Sequence, residues 1–395
     1  MSKKLEITVF IIIIVVLSEW GEHIFPTKLE ISDVQIVEAM GMDLDENNKV
    51  SLSLLFEESE NEVKEGRKKE KLLTVSSESF LGTEKGMRYY EDKIFIGSHV
   101  KNIIIGEKLA QENLVRVMEY IGKNGELRLD SNIYIAKGSS ASKLFEDGLG
   151  NEYGLADKIN DIAMTEVKGS EKRCVKVIDV IKLLLSNDKV GVIPCIQLVD
   201  NGGNQFEGSE INMSEQEKKR IELAGYGVIK KDKLTGYLGN YESSGYDYVK
   251  NSIFEENVVL AKYDEVIGLK LIDSDTKIKC EFSDDTLTKA IIKIKVNNSI
   301  METSSGKNIF AKDLKTIEEL ENNYIKNIVM ATIEYAQKEN ADFIGIGKSL
   351  ELKHPYKWRN IEKEWEKIFP TLPIEVEVNS KINEEYGILS TTNES

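Results

Sequence analysis

Residues 29–42 are apolar with strand character, and 50–56 alternate apolar and polar side chains. The short polar stretch 43–49 between them makes the pair read as a β-hairpin. A second apolar run, 100–105, ends at Gly106, and Ala110, Leu114, Val117, Met118 and Ile121 follow at helical spacing. Residues 132–136 predict another strand and 140–188 a largely helical stretch, which the apolar run 191–198 follows. The Gly-rich, polar segment 200–214 predicts a linker or long loop. Beyond it, 224–229 and 234–238 flank a charged turn and predict a second hairpin, with strands at 258–260 and 290–296. Leu314, Ile317, Leu320, Tyr324, Ile328, Ala331 and Tyr335 mark one face of a long amphipathic helix. Trp358, Ile361, Trp365 and Ile368 mark another, with Pro355 in its first turn and Pro370 and Pro373 closing it. Ile374, Val376, Val378 and Ile382 alternate as a final strand. Strands and helices mixed in this order predict an α+β chain.

The first 25 residues follow a different pattern. Lys3 and Lys4 precede an uncharged apolar run at 7–17, bounded by Glu6 on one side and Glu19 and Glu22 on the other. As a helix those residues rise about 16 Å, roughly half of a hydrocarbon core. A basic start followed by a short apolar run is the layout of a secretory signal. Ile7, Ile11, Val15, Leu17 and Trp20 are therefore the expected signal or membrane-anchor residues, within a segment spanning 1–25. A buried N-terminal strand or helix of a cytosolic fold is the competing reading, and the β-branched Ile and Val would suit a strand.

Composition narrows the function. The 395 residues are 41% hydrophobic and 30% charged, which predicts a multi-domain globular chain. The net charge of −16 opposes nucleic-acid binding. Only seven of the 52 cations are Arg, and they are scattered, which weakens forked phosphate recognition. Cys174, Cys195 and Cys280 make no disulfide framework, and His23, His99 and His354 make no His-rich metal site.

Four motifs touch on chemistry without completing it. Gly347-Lys348-Ser349 resembles the end of a phosphate-binding loop, but Asp342 stands where its first Gly belongs, an anion facing the phosphate position. Asp43, Asp45 and Asn47 open like a calcium loop, yet Asn48 replaces its Gly and Leu54 its bidentate Glu. Gly225 and Gly227 lack the third Gly of a dinucleotide fingerprint. Ser98 and His99 are adjacent, which rarely places a nucleophile against its base. No catalytic, cofactor-binding or metal residue is assigned, and no cofactor is expected.

Pro355, Trp358, Trp365, Phe369 and Pro370, running into 374–378, resemble the C-terminal signature of the Ger(x)C family, the C subunits of bacterial spore germinant receptors. Residues 34–45, 95–110 with Gly97 and Gly106, 126–138, 225–238 with Gly227 and Gly236, and 343–347 with Gly345 and Gly347 are similar to other family segments in the family's order. In that resemblance, 343–347 is a strand preceding the signature. The resemblance implies about three α+β domains, each a mixed or antiparallel sheet flanked by helices. Residues 26–200 would form the N-terminal part, 201–214 a linker, 215–390 the C-terminal region and 391–395 a tail. It also implies a non-catalytic protein at the outer face of the spore inner membrane, assembled with membrane-embedded A and B subunits and needing no cofactor or nucleic acid. The family's lipobox is replaced by Leu17-Ser18-Glu19-Trp20, so no Cys stands there to accept a lipid. An uncleaved apolar segment, a cleaved signal and retention by partner subunits stay open as modes of attachment. An exported ligand-binding protein acting alone is the second functional reading.

Overall fold

The densest apolar runs form the centre of the larger of two sheets. The computed structural model describes residues 10–12, 34–57, 70–89, 93–149, 154–167, 174–200, 219–253, 257–262, 265–304 and 311–383. In the first half these fold as β1 (Val34–Leu44), β2 (Val50–Glu57), β3 (Glu70–Ser77), α1 (Phe80–Met87), β4 (Ile94–Ile96) and a 3-10 turn (Gly97–His99). Next come β5 (Asn102–Gly106), α2 (Glu107–Glu112), α3 (Leu114–Lys123), β6 (Asn132–Ala136), α4 (Ala141–Gly148), α5 (Leu155–Val167), α6 (Val177–Leu185) and β7 (Val190–Asp200). The second half contributes β8 (Lys219–Lys230), β9 (Lys233–Leu238), α7 (Asn240–Lys250), β10 (Asn257–Lys262), β11 (Glu265–Ser283) and β12 (Thr286–Thr303). It closes with α8 (Ala311–Lys338), α9 (Ile346–Lys353), α10 (Pro355–Ile361), α11 (Trp365–Ile368) and β13 (Ile374–Asn383).

The larger sheet has the order β3-β2-β1-β5-β6-β7-β8-β9, with β4 paired to the start of β1. Its centre, β1-β5-β6-β7, is parallel, and its flanks are antiparallel hairpins. All five residues of β5 are buried, because helices cover both faces. Leu109, Leu114, Val117, Ile121 and Val180 pack on one face with Ile103 and Ile105. Leu144, Phe145, Leu155 and Ile159 pack on the other with Ile104 and Tyr134.

The smaller sheet, β10-β11-β12-β13, pairs β13 parallel to β12. A parallel neighbour needs a long crossover, and α8 to α11 supply it. Ile325, Ile328 and Val329 of α8 pack with Ile292 and Ile294 in a cluster that also takes in Val192 and Val228 of the larger sheet. One core therefore runs from the end of the first sheet into the second.

The α+β reading with helix-flanked sheets holds; among the described residues the strands gather into two sheets, and none of them forms a third. The linker expected at 201–214 lies outside the described residues, and the strands on either side of it are neighbours. Asp200 pairs with Lys219 and the β7–β8 ladder continues to Val190 and Lys230, so the larger sheet runs through the expected boundary. The tail at 391–395 lies outside the described residues. So do Ile7, Val15, Leu17 and Trp20 of the expected anchor, whereas Ile11 is helical and exposed. Among the described residues no helix is long and apolar enough to cross a membrane.

Candidate functional site

Helix starts leave backbone N–H groups without intrahelical partners, and in this fold buried carboxylates from elsewhere fill several of them. Asp342, 8% exposed, accepts hydrogen bonds from the backbone N–H groups of Gly345 (2.9 Å), Ile346 (3.0 Å) and Gly347 (2.6 Å) at the start of α9. The Trp365 indole Nε1 donates to the same carboxylate at 3.2 Å. Gly345 makes the turn with φ of 88°, a left-handed conformation that favours glycine. A Cβ on Gly347 would lie 2.9 Å from Trp358 and from the Trp365 indole nitrogen, so only glycine fits between them. Trp358 and Trp365 meet edge to face at 5.3 Å, and Trp365 lies 5.8 Å from Phe369. Pro355 opens α10, and Pro370 sits in the 3-10 turn after α11.

The C-terminal signature residues are thus brought together around one buried carboxylate. Two local expectations change. Residues 343–347, expected as a strand, form a turn leading into α9, because the Asp342 cap and the left-handed Gly345 start a helix there. The helix expected through Trp358 and Trp365 breaks at a 3-10 turn over 362–364, which sets the Trp365 indole toward Asp342. The phosphate-loop reading is closed by the same geometry: the Asp342 carboxylate occupies the N–H groups a phosphate would use.

Asp43 plays a matching part in the larger sheet. It is 3% exposed and accepts from the backbone N–H groups of Ala141 (2.7 Å) and Ser142 (2.8 Å) at the start of α4. A Cβ on Gly106 would overlap this carboxylate. Glu70 does the same at α5, accepting from Leu155 (2.5 Å) and Ala156 (2.8 Å). Burial raises the carboxyl pKa of both Asp43 and Glu70, against the opposing pull of these N–H donors. Asp45 closes the β1–β2 turn, accepting from Asn47 and Lys49, so the calcium-like motif is a capped hairpin.

The remaining candidates are dispersed. Gly97 opens the 3-10 turn, Ser98 and His99 are exposed on it, and Gly227 and Gly236 lie on β8 and β9. Gly225 sits beside an irregularity in the β7–β8 ladder with φ of 76°. Burial pushes the Cys195 thiol up to about 12 and the Cys280 thiol up to about 11, which disfavours the reactive thiolate.

Burial also raises Asp342, to about 6 from an ordinary 3.8. A carboxyl whose folded pKa lies above its unfolded one contributes most below the lower value and loses that contribution as pH rises through the upper one. The stability advantage of the native chain over Asp342→Asn is expected to shrink by about 2 kcal/mol between pH 4 and pH 7. Urea denaturation of both proteins across that range reads the difference, and parallel pH profiles would contradict it.

Comparison with known proteins places this arrangement. A family model described as the spore germination protein N-terminal domain matches residues 27–198. Another, described as spore germination B3/GerAC like, C-terminal, matches residues 224–386. The chain belongs to the Ger(x)C family. The chain is 24% identical over 296 residues to spore germination protein KC of Bacillus subtilis (strain 168), covering 72% of this chain and 71% of that one. The crystal structure of the GerBC protein has a similar fold, with a TM-score of 0.52 and 16% identity over 87% of this chain and 96% of that one. The boundary between the two Ger(x)C models falls at 199–223, where β7 passes to β8 within one sheet.

Proposed function

We propose that this chain is the non-catalytic C subunit of a nutrient germinant receptor. It would act in spore germination at the outer face of the spore inner membrane, assembled with membrane-embedded A and B subunits. The observation that carries this reading is the match of both Ger(x)C models, N-terminal then C-terminal, along most of the chain. The site geometry supports it: the Asp342 carboxylate, around which the signature residues gather, is engaged by backbone N–H groups and an indole, which is structural work.

The same proposal extends to attachment. The first Cys of the chain is Cys174, inside the N-terminal domain, so the position where the family carries its lipid offers no thiol. In this reading partner subunits are the main tether, with 7–17 as an auxiliary anchor where it is uncleaved. Membrane association of the full chain is expected to fall sharply in spores lacking both the A and B subunits. Fractionation and immunoblotting measure it, and undiminished association would show that the apolar segment suffices.

A further inference from the structure

A cleft of about 880 Å³ opens on the larger sheet between α1, α3 and the 3-10 turn that begins at Gly97. Its floor is the sheet itself: Val37, Met40, Leu52 and Leu54 line it, and each is at most 4% exposed. That size and an apolar floor suit a small organic ligand, for which sites run roughly 300–1,000 Å³. The wall is aromatic and fixed. Phe80 stacks on Tyr120 with ring centres 4.8 Å apart. The Glu84 carboxylate accepts from the Tyr120 hydroxyl (2.5 Å) and the Asn124 amide (3.0 Å), tying α1 to α3. A site held open in this way loses little ordering entropy on binding.

The rim charges decide the ligand. Arg116 is engaged, donating to the Glu78 carbonyl and lying over the Phe80 ring, and Lys123 pairs with Glu119. Arg88 and Lys93, five residues apart on the segment from α1 to β4, line the cleft, and their side chains make no ion pair or hydrogen bond among the described residues. Glu126 lines the α3 side. With Glu119 paired to Lys123 and Glu84 held by Tyr120 and Asn124, the uncommitted charges among the described lining residues are two cations and the Glu126 carboxylate, above an apolar floor.

We propose that this cleft binds a small anionic amphiphile, an organic carboxylate or sulfonate with an aromatic or branched apolar body, its anionic group between Arg88 and Lys93. This goes beyond the assembly reading and needs no partner subunit.

The test is titration of the full chain with 8-anilinonaphthalene-1-sulfonate and, in parallel, its uncharged counterpart N-phenyl-1-naphthylamine, followed by fluorescence. Each probe is expected to saturate a single site. Combined Arg88→Glu and Lys93→Glu, at surface positions, should weaken the sulfonate about tenfold and leave the neutral probe within about twofold. Gly125→Trp should weaken both probes about tenfold. Gly125 lines the cleft, and nothing lies within 4 Å of a Cβ built there, so this variant fills space without disturbing the core. The absence of a saturable site would overturn the proposal. So would unchanged sulfonate binding in either variant, which would place the probe elsewhere. Equal weakening of both probes by the charge reversals would overturn the anionic preference. None of these outcomes bears on partner assembly.

Discussion

Trp365→Ala is expected to cost about 3–5 kcal/mol, because it deletes a large ring from a packed core. Trp365 is 7% exposed and touches Trp358, Phe369 and the Asp342 carboxylate. Removing it opens a cavity and takes one of four donors from a buried carboxylate. Trp365→Phe keeps most of the ring and loses only the indole N–H, at an expected cost of about 1–3 kcal/mol. Urea denaturation separates the two. An unchanged unfolding midpoint for Trp365→Ala would show that the signature does not hold this part of the fold together.

Gly106→Ala is the second large effect. The added Cβ would overlap the Asp43 carboxylate, and the Ser140 Cα lies 3.3 Å away on the same side. The carboxylate cannot retreat without releasing the N–H groups of Ala141 and Ser142. Overpacking together with a lost cap is expected to cost about 3 kcal/mol. A double-mutant cycle assigns the cause. In an Asp43→Ala background the same substitution should cost about 1 kcal/mol or less, since the clashing group is gone. Equal costs in both backgrounds would mean that Gly106 is required for another reason.

Much of the fold could be read in advance where one physical signal dominated. The strand over 100–105 and the face of α8 are written as apolar periodicity, and both form; the helix expected from Ala110 to Ile121 forms as two, α2 and α3, because Asn113 is extended and caps α3 with its side chain. Of the long β11–β12 hairpin only 290–296, in β12, was read, since the strand at 258–260 is β10, although β11 carries a period of two. Ile278, Cys280 and Phe282 are partly buried against the core, while Lys277, Lys279 and Glu281 alternate with them. Its many lysines hid that signal. Helix α7 was missed because Gly245, Ser243 and Asp247 are poor helix formers. Tertiary contacts override that: Gly245 packs against Ile328 and Thr332 of α8, and Asp247 accepts from the Tyr226 hydroxyl at 2.7 Å.

The candidate site was legible in its residues and not in its geometry. The spacing of Trp358 and Trp365 pointed to a shared packing face, and the rings do touch, but across a broken helix. Asp342 was marked as an anion where a phosphate would sit. Its capture of three N–H groups depends on the left-handed turn at Gly345. The Asp43 cap could not be read at all, since its partners lie 98 and 99 residues along the chain. The cleft likewise depends on how α1 and α3 sit side by side on one face of the sheet, which no local pattern encodes.

The most direct test of the receptor reading is affinity purification of the tagged full chain from detergent-solubilised spore membranes, followed by mass spectrometry of what comes with it. The account predicts co-purification with two polytopic membrane proteins, the A and B subunits, in fixed proportion. Recovery of the chain alone under conditions that preserve other membrane complexes would contradict it, and would favour an exported protein that acts by itself.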